Sequence, residues 1–597
     1  MKRWVTVLLA NWKERFTPFN SWLGELRNIK TLKADAVAGL TVALVLVPQS
    51  MAYAQLAGLP AYVGLYASFL PVMFAALWGS SRQLATGPVA IVSLMSAASL
   101  QSILGESPST ETYLFYAAFL AIAVGIFQLA LGLLQLGKLV DFLSHPVVIG
   151  FTNAAALIIA TSQLSKLFGI SVESGEHHYE TVWNILLGIP HTHVVTLIIA
   201  VFSIFVLVYL KKVAPSLPNV LIAVVLCTLI SWGVGFEALG GQVIGDIASG
   251  LPGFSIPRID FSHFTQLFMS AMIIALIGFV EAISVSKAIA SQTRQRLSAN
   301  QELVGQGVAN ITAGLFQGYA VSGSFSRSAV NYAADARTGF SSIVTGLLVA
   351  VTLLFLTPLL YHLPQATLAA VIMVAVLNLI KFEPVLHAWK VEPHDGIVVV
   401  VTFFATLVVA PHLEKGIMVG VVLSLGLFLY RTMSPNFVEV ARHPDGSLRD
   451  SRRHHLQTSE TVAVYRFDGD LYFANTGYLE GKILNSVANK PKLKVLVLDM
   501  EAVDQVDSTG EEMLEKLADR LKSAGIEFFV ARIKLRVYEA FQRSGLSQHI
   551  GENRFFRERT LAVKHAKEML GDAIDIEPLL RAMPAAPSKL PDGIYDG

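Results

Sequence analysis

A single cysteine, Cys227, stands in the 597 residues, inside an apolar run. That excludes a disulfide framework and a multi-cysteine zinc or iron–sulfur centre. Charge is scarce as well, since Asp, Glu, Lys and Arg make up 15% of the chain, against about 25% in ordinary soluble proteins. No basic block is interleaved with aromatics and the formal net charge is +1, so nothing points to a nucleic-acid partner. The sequence has no Walker A loop, nucleophile elbow or metal-ligand cluster, which argues against an ATP-driven pump, an enzyme and a bound cofactor or metal.

The scarcity of charge is uneven. From Thr432 to the end 48 of 166 residues are charged, whereas the first 431 residues hold 41. With 53% hydrophobic residues and a mean hydropathy of +0.56, the larger region reads as an α-helical polytopic membrane domain over 35–431. A soluble module follows over 432–570, and a disordered tail is expected over 571–597. Met1 to Lys33 mixes Lys2, Arg3, Trp4, Lys13, Glu14, Arg15 and Trp22 without a signal-peptide cleavage site. It is expected to be a cytoplasmic amphipathic region (1–34) lying on the membrane.

Apolar segments from Asp35 onward predict spans near 36–55, 61–78, 88–102, 112–136, 146–168, 193–210 and 219–235. A second set of seven is expected near 265–286, 302–320, 326–334, 340–361, 366–380, 396–411 and 415–430. Lys and Arg are concentrated on one side (Arg82, Lys138, Lys211, Lys212, Lys287, Arg294, Arg296, Arg337, Lys381, Lys390, Arg431), against Lys166, Arg258 and Lys415 on the other. Both termini are therefore expected in the cytoplasm of a cell-membrane protein.

The third span of each set is too short to cross a bilayer, which takes about 20 apolar residues. One begins at Thr86-Gly87-Pro88 and the other at Ser324-Phe325-Ser326-Arg327-Ser328. Gly87 and Arg327 are offset by 240, and Gln49 and Glu281 by 232. A near-constant offset over seven spans, an odd number, predicts two inverted repeats. Interrupted spans at matching positions point to a midplane site where two helix amino termini converge, which favours an anion. Arg327 costs at least roughly 2.5–3.5 kcal/mol if it faces lipid, so it faces a partner or a ligand. Ser326 and Ser328 add hydroxyl donors. Glu281 is the nearby carboxylate candidate, and loading a proton with the anion would remove repulsion between two negative groups.

The runs Asp35-Ala-Val-Ala-Gly-Leu-Thr, Val47-Pro-Gln-Ser-Met-Ala-Tyr-Ala-Gln-Leu-Ala-Gly-Leu-Pro60, Gly64-Leu-Tyr66, Gly79-Ser-Ser-Arg82, Asn300-Gln-Glu-Leu-Val-Gly-Gln-Gly and Ser324-Phe-Ser-Arg-Ser328 resemble the sulfate permease (SulP) family. The resemblance covers about residues 30–570. It implies a secondary anion transporter of fourteen spans in seven-plus-seven inverted repeats, with core and gate subdomains, a STAS domain and homodimeric assembly. By motif position it implies substrate contacts from Gln49, Tyr53, Gly87, Pro88, Val89, Ala90, Ser326, Arg327 and Ser328, with Glu281 coupling transport to protons. Val89 departs from the aromatic residue of vertebrate relatives.

In the charged carboxyl region, Thr461–Phe467, Lys494–Asp499 and Gly525–Ala531 read as strands and Gly510–Ala524 as a helix, giving an α/β module. Asp507 or Ser508 is placed to cap that helix. The junction resembles the STAS signature, in which the serine matching Ser508 is phosphorylated in anti-sigma antagonists. The same position suits a docking surface for a cytoplasmic protein. Together these features predict proton-coupled import of small oxyanions, sulfate first, by an elevator-like movement. The alternatives are a bicarbonate or chloride exchanger, a dicarboxylate–proton symporter, and a membrane-tethered anion sensor.

Overall fold

The computed structural model describes residues 17–581 except 106–107, 138–143, 173–174, 176, 215–216, 248–249 and 258–263. Lys138, Arg258, the first sixteen residues of the expected amphipathic region and positions 582–597 of the expected tail lie outside the described residues. Contacts divide the chain into two compact units, Met1–Ser424 and Leu425–Gly597.

Among the described residues eight helical segments are long and apolar enough to cross a bilayer. They are Ile29–Leu56, Ala61–Trp78, Thr110–Leu133, His145–Phe168, Val194–Val213, Thr265–Thr293, Phe340–Leu360 and Leu413–Thr432. Four shorter apolar helices, Ala90–Leu104, Asn219–Val234, Gln365–Leu377 and Pro393–Val409, join Ala299–Leu315 and Phe325–Ala333 to complete the fourteen expected segments. Residues 29–34, read as part of the amino-terminal region, already belong to the first span. Asn28 starts it by accepting from Lys30 N at 3.0 Å, a side-chain cap at the point where the first amides lack helical acceptors. Two amphipathic helices, His178–Gly188 and Glu383–Val391, were not foreseen. They are too short and too mixed in character to stand out in an apolar pattern.

Spans one to four pack with eight to eleven, and five to seven with twelve and thirteen, while span fourteen lies against thirteen, where a Cβ on Gly416 would stand 2.6 Å from Thr406 Cα. In the first bundle, spans four and nine meet backbone to backbone. A Cβ on Gly307 would stand 2.6 Å from Leu129 N, and one on Gly314 2.3 Å from Ala118 O. Without a hydrophobic drive between helices in lipid, such close approach supplies the packing. Two buried carboxylates fix the turns beside the short spans. Glu302 accepts from Ser80 N and Ser81 N, both at 2.9 Å, which explains the Gly79-Ser-Ser-Arg82 run. Asp35 accepts from Arg337 N at 2.7 Å and Thr338 N at 3.1 Å.

Ahead of each short helix the chain is extended. Strand β1 (Thr86–Gly87) pairs antiparallel with β2 (Ser322–Gly323), Thr86 opposite Gly323 and Gly87 opposite Ser322. The helices behind them start at Ala90 and Phe325, an offset of 235. The offset of 240 between Gly87 and Arg327 is therefore corrected, because it matched a strand residue to a helical one. On the structural register Arg327 corresponds to Val92.

The second unit contains a sheet in the order β4-β3-β5-β6-β7-β8. Its strands are β3 (Asn436–Arg442), β4 (Leu448–Asp450), β5 (Val462–Asp468), β6 (Val495–Asp499), β7 (Glu527–Ala531) and β8 (Phe555–Phe556). β5 to β8 are parallel. Helices Thr476–Asn489, Ser508–Ser523 and Leu535–Ser544 cover one face, and Arg559–Leu570 the other. Burial on both faces accounts for the unbroken apolar run of β6. The tail expected from residue 571 is corrected in its first part. Ile574, Ile576 and Leu579 are buried in the second core, and Asp575 N donates to Thr461 Oγ1 at 2.7 Å. Apolar side chains at 574, 576 and 579 supply enough buried surface to hold this short segment.

Candidate functional site

The site forms where the two short helices meet. Pro48 cannot donate a helical amide to Leu44, and just beyond it Gln49 is buried with its Oε1 unpartnered. Tyr53, one turn on, is buried as well. Gly87, Pro88, Val89 and Ala90 are all buried. Gly87 has a φ of +151°, and a Cβ there would stand 3.3 Å from Arg327 Nη2 and 3.4 Å from Leu46 Cδ1. Glycine thus brings the β1 backbone against the guanidinium. Val89 caps the third span without a side-chain acceptor, so its first-turn amides have none from that position.

Arg327 is 0% exposed. None of its three guanidinium nitrogens has a hydrogen-bond partner. Tyr53, Glu281 and Tyr319 lie within electrostatic range of it. Glu281 does not pair with it, and Glu281 Oε2 is likewise buried and unpartnered. Glu281 sits at the level of the strand pair, because Ser322 Oγ donates to Gly278 O at 2.6 Å and a Cβ on Gly323 would stand 2.9 Å from Ala282 Cβ. A fixed buried cation, helix amino termini and unpartnered polar atoms can together receive a small anion.

The two serines differ. Ser326 is exposed, its Oγ 3.4 Å from that of Ser324. Ser328 is buried, and its Oγ accepts from Ala85 N at 2.8 Å, tying the tenth span to the segment leading into the third. Sequence reasoning passed over Tyr319, which is 0% exposed and has its hydroxyl 2.9 Å from Ser93 Oγ. The available signal was an aromatic with a polar end in the segment before Ser324.

In the second unit Asp507, rather than Ser508, caps the helix. Its Oδ1 accepts from Gly510 N at 2.8 Å and its Oδ2 from Phe473 N at 2.9 Å. Ser508 is the exposed first residue of the helix. Nearby, Asp499 is fully buried and paired through Oδ2 with Arg559 Nε at 2.5 Å. Burial pushes its carboxyl above the ordinary aspartate value, and Arg559 opposes that rise.

Fold and site together define a polytopic membrane carrier joined to a soluble α/β module. The model of the sulfate permease family matches residues 32–402, and that of the STAS domain residues 454–562. "Sulfate transporter 4.1, chloroplastic" of Arabidopsis thaliana is 33% identical over 568 residues, which cover 92% of this chain and 82% of that protein. "High affinity sulfate transporter 2" of Stylosanthes hamata is 30% identical over 573 residues, 90% and 84% of the two chains. The structure of the murine solute carrier 26 family member A9 anion transporter in the inward-facing state is similar with a TM-score of 0.85 at 27% identity, covering 93% of this chain and 94% of that one. The chain belongs to the sulfate permease family and carries a carboxyl-terminal STAS domain. It is a multi-pass membrane transporter of anions with the seven-plus-seven fold, and not an enzyme.

Proposed function

We propose that the protein imports small oxyanions, sulfate first, together with protons. The observation that carries this reading is Arg327, fully buried with three unpartnered nitrogens against the Gly87 backbone. A charge in that state needs a counter-ion, and no carboxylate among the described residues is hydrogen-bonded to it. Relatives named as sulfate transporters support sulfate. A planar guanidinium fork matches two oxyanion oxygens. Gln49, Tyr53, Gly87 to Ala90 and Ser326 surround the anion in this reading, while Ser328 holds the frame. Glu281 takes the proton, because its unpartnered oxygen stands in electrostatic range of Arg327. Protonating it leaves the Arg327 charge to the anion.

The bundle of spans one to four and eight to eleven moves past the other in an elevator-like stroke. The protein works as a homodimer in the cell membrane with both termini in the cytoplasm, the side on which Lys and Arg accumulate. The STAS domain serves as a docking module for a cytoplasmic protein, with Ser508 exposed for contact or modification. The test is uptake of labelled sulfate into proteoliposomes with and without an imposed pH gradient. Accumulation only under an inward proton gradient is expected. Flux that needs internal chloride or bicarbonate and ignores the gradient would instead establish exchange, which the likeness to the murine anion transporter fits as well.

A further inference from the structure

Several hydrogen bonds tie the two short helices and their leading segments together, Asn331 Nδ2 to Gln83 O at 3.1 Å among them, and two of these ties are related by the repeat. In the helix from Phe325 the fourth residue, Ser328, accepts through Oγ from Ala85 N at 2.8 Å, in the segment leading to the other short helix. In the helix from Ala90 the fourth residue, Ser93, meets Tyr319 Oη at 2.9 Å, in the segment leading to the first. Ser93 and Ser328 are offset by 235, and Ala85 and Tyr319 by 234. The first equals the offset of 235 between the helix starts and between Gly87 and Ser322, and the second lies one residue from it.

The symmetry breaks in one respect. On one side the leading segment reaches its serine with a backbone amide, and on the other with a tyrosine hydroxyl. All three side chains involved, Ser93, Ser328 and Tyr319, are 0% exposed. Tyr319 is also in electrostatic range of Arg327 and Tyr53. The rest of its leading segment is anchored independently, since Val321 N donates to Asn310 Oδ1 at 2.8 Å and Asn310 Nδ2 to Val321 O at 3.0 Å.

We infer that the Tyr319–Ser93 contact is the second of two repeat-related clasps, and that Tyr319 is a positioning residue for the anion site. It holds the first turn of the third span, which follows the Gly87 backbone that stands against Arg327, in register with the tenth. The clasp on the Ser328 side survives any side-chain change at residue 85, because it uses the main chain. The Tyr319 side depends on one hydroxyl, so the third-span terminus is the adjustable half of the site. This inference rests on the anion-site reading above, but the clasp has a readout that does not.

The experiment compares the full-length protein with Tyr319→Phe, Ser93→Ala and the double variant. Hydrogen exchange of the amides at 90–97 reports the clasp without any ligand. Exchange about tenfold faster in each single variant is expected, and no faster in the double variant. Calorimetry with sulfate reports the site, where each single variant should bind about tenfold more weakly and the double variant about as weakly as either single. Coupling of this kind identifies a pair acting as a unit, and a purely structural role would lower the thermal midpoint without moving affinity. Unchanged exchange at 90–97, or additive losses in the double variant, would overturn the clasp. Faster exchange with wild-type affinity would overturn the positioning role. A wild-type protein that binds no sulfate defeats the substrate reading, and exchange at 90–97 still decides the clasp.

Discussion

Replacing Arg327 with Met should move stability and binding in opposite directions. Arg327 is completely buried and its nitrogens have no hydrogen-bond partners, so without anion the protein bears the desolvation of a charge that no hydrogen bond compensates, an effective cost of several kcal/mol. Met fills most of the volume and removes that cost. The anion-free variant should therefore unfold at the same temperature as the wild type or higher. Binding should collapse. Two charge-assisted hydrogen bonds at about 1.5–3 kcal/mol each amount to about 3–6 kcal/mol, a loss of roughly a hundredfold to ten-thousandfold in affinity. The assay is thermal unfolding in detergent against sulfate concentration. At a hundred times its dissociation constant the ligand stabilises the wild type by about 2.7 kcal/mol, while the Met variant at the same concentration should gain at most about 0.4 kcal/mol. An anion-free Met variant clearly less stable than the wild type would show that Arg327 serves the fold. A retained sulfate shift would show that it does not hold the anion. Lys at this position should rescue only in part, because a point charge lacks the planar fork.

Glu281→Gln keeps the hydrogen-bonding shape but cannot release a proton, so exchange of internal for external sulfate should persist while accumulation driven by a proton gradient disappears; full accumulation in proteoliposomes would move coupling to another group. Removing residues 438–597 should leave a membrane domain that binds anion, measured by calorimetry on monodisperse protein, because every proposed contact precedes residue 330. Asp507→Ala removes two acceptor contacts at the start of helix Ser508–Ser523 and should destabilise it by about 1–2 kcal/mol, read as faster hydrogen exchange at 508–514. Arg559→Met strands Asp499 as a buried unpaired charge and should destabilise the carboxyl module by about 3–5 kcal/mol at pH 8. The loss should be smaller at pH 5. Without Arg559 the folded carboxyl titrates still further above its unfolded value, so stability is highest when both states are protonated and falls as pH rises through the interval between them. Exchange of the β6 amides at the two pH values checks the sign.

The long apolar spans were legible because composition alone fixes them, and the short third and tenth spans because Gly-Pro and Arg interrupt an otherwise apolar pattern. Arg327 and Gln49 stood out as polar groups that lipid does not tolerate. What the sequence left unread depends on partners distant in the chain. Asp35 and Glu302 gain their roles from amides some 300 and 220 positions away. Ser328, expected as a ligand contact, also accepts from Ala85 N, a bond that only the approach of the tenth span to the segment leading into the third creates. The helices at 178–188 and 383–391 were missed because their apolar faces are only a few residues long. Burial of 574–579 was hidden because the module face that receives it is assembled from strands far upstream.

The β1–β2 pair has a consequence for biogenesis. Gly87 must wait for Ser322, and at a synthesis rate of about 5–20 residues per second roughly 10 to 50 seconds separate the two. During that time the first seven spans are in the membrane with the Ala85 amide and the Ser93 hydroxyl lacking the partners they will acquire. Neither half of the gene product contains a site, so a chain that stops before the tenth span is an unsatisfied membrane protein rather than a weak transporter. The insertion machinery must therefore shelter the early half until the later one arrives. Conversely, two halves made as separate polypeptides carry between them all the contacts needed to meet at the strand pair.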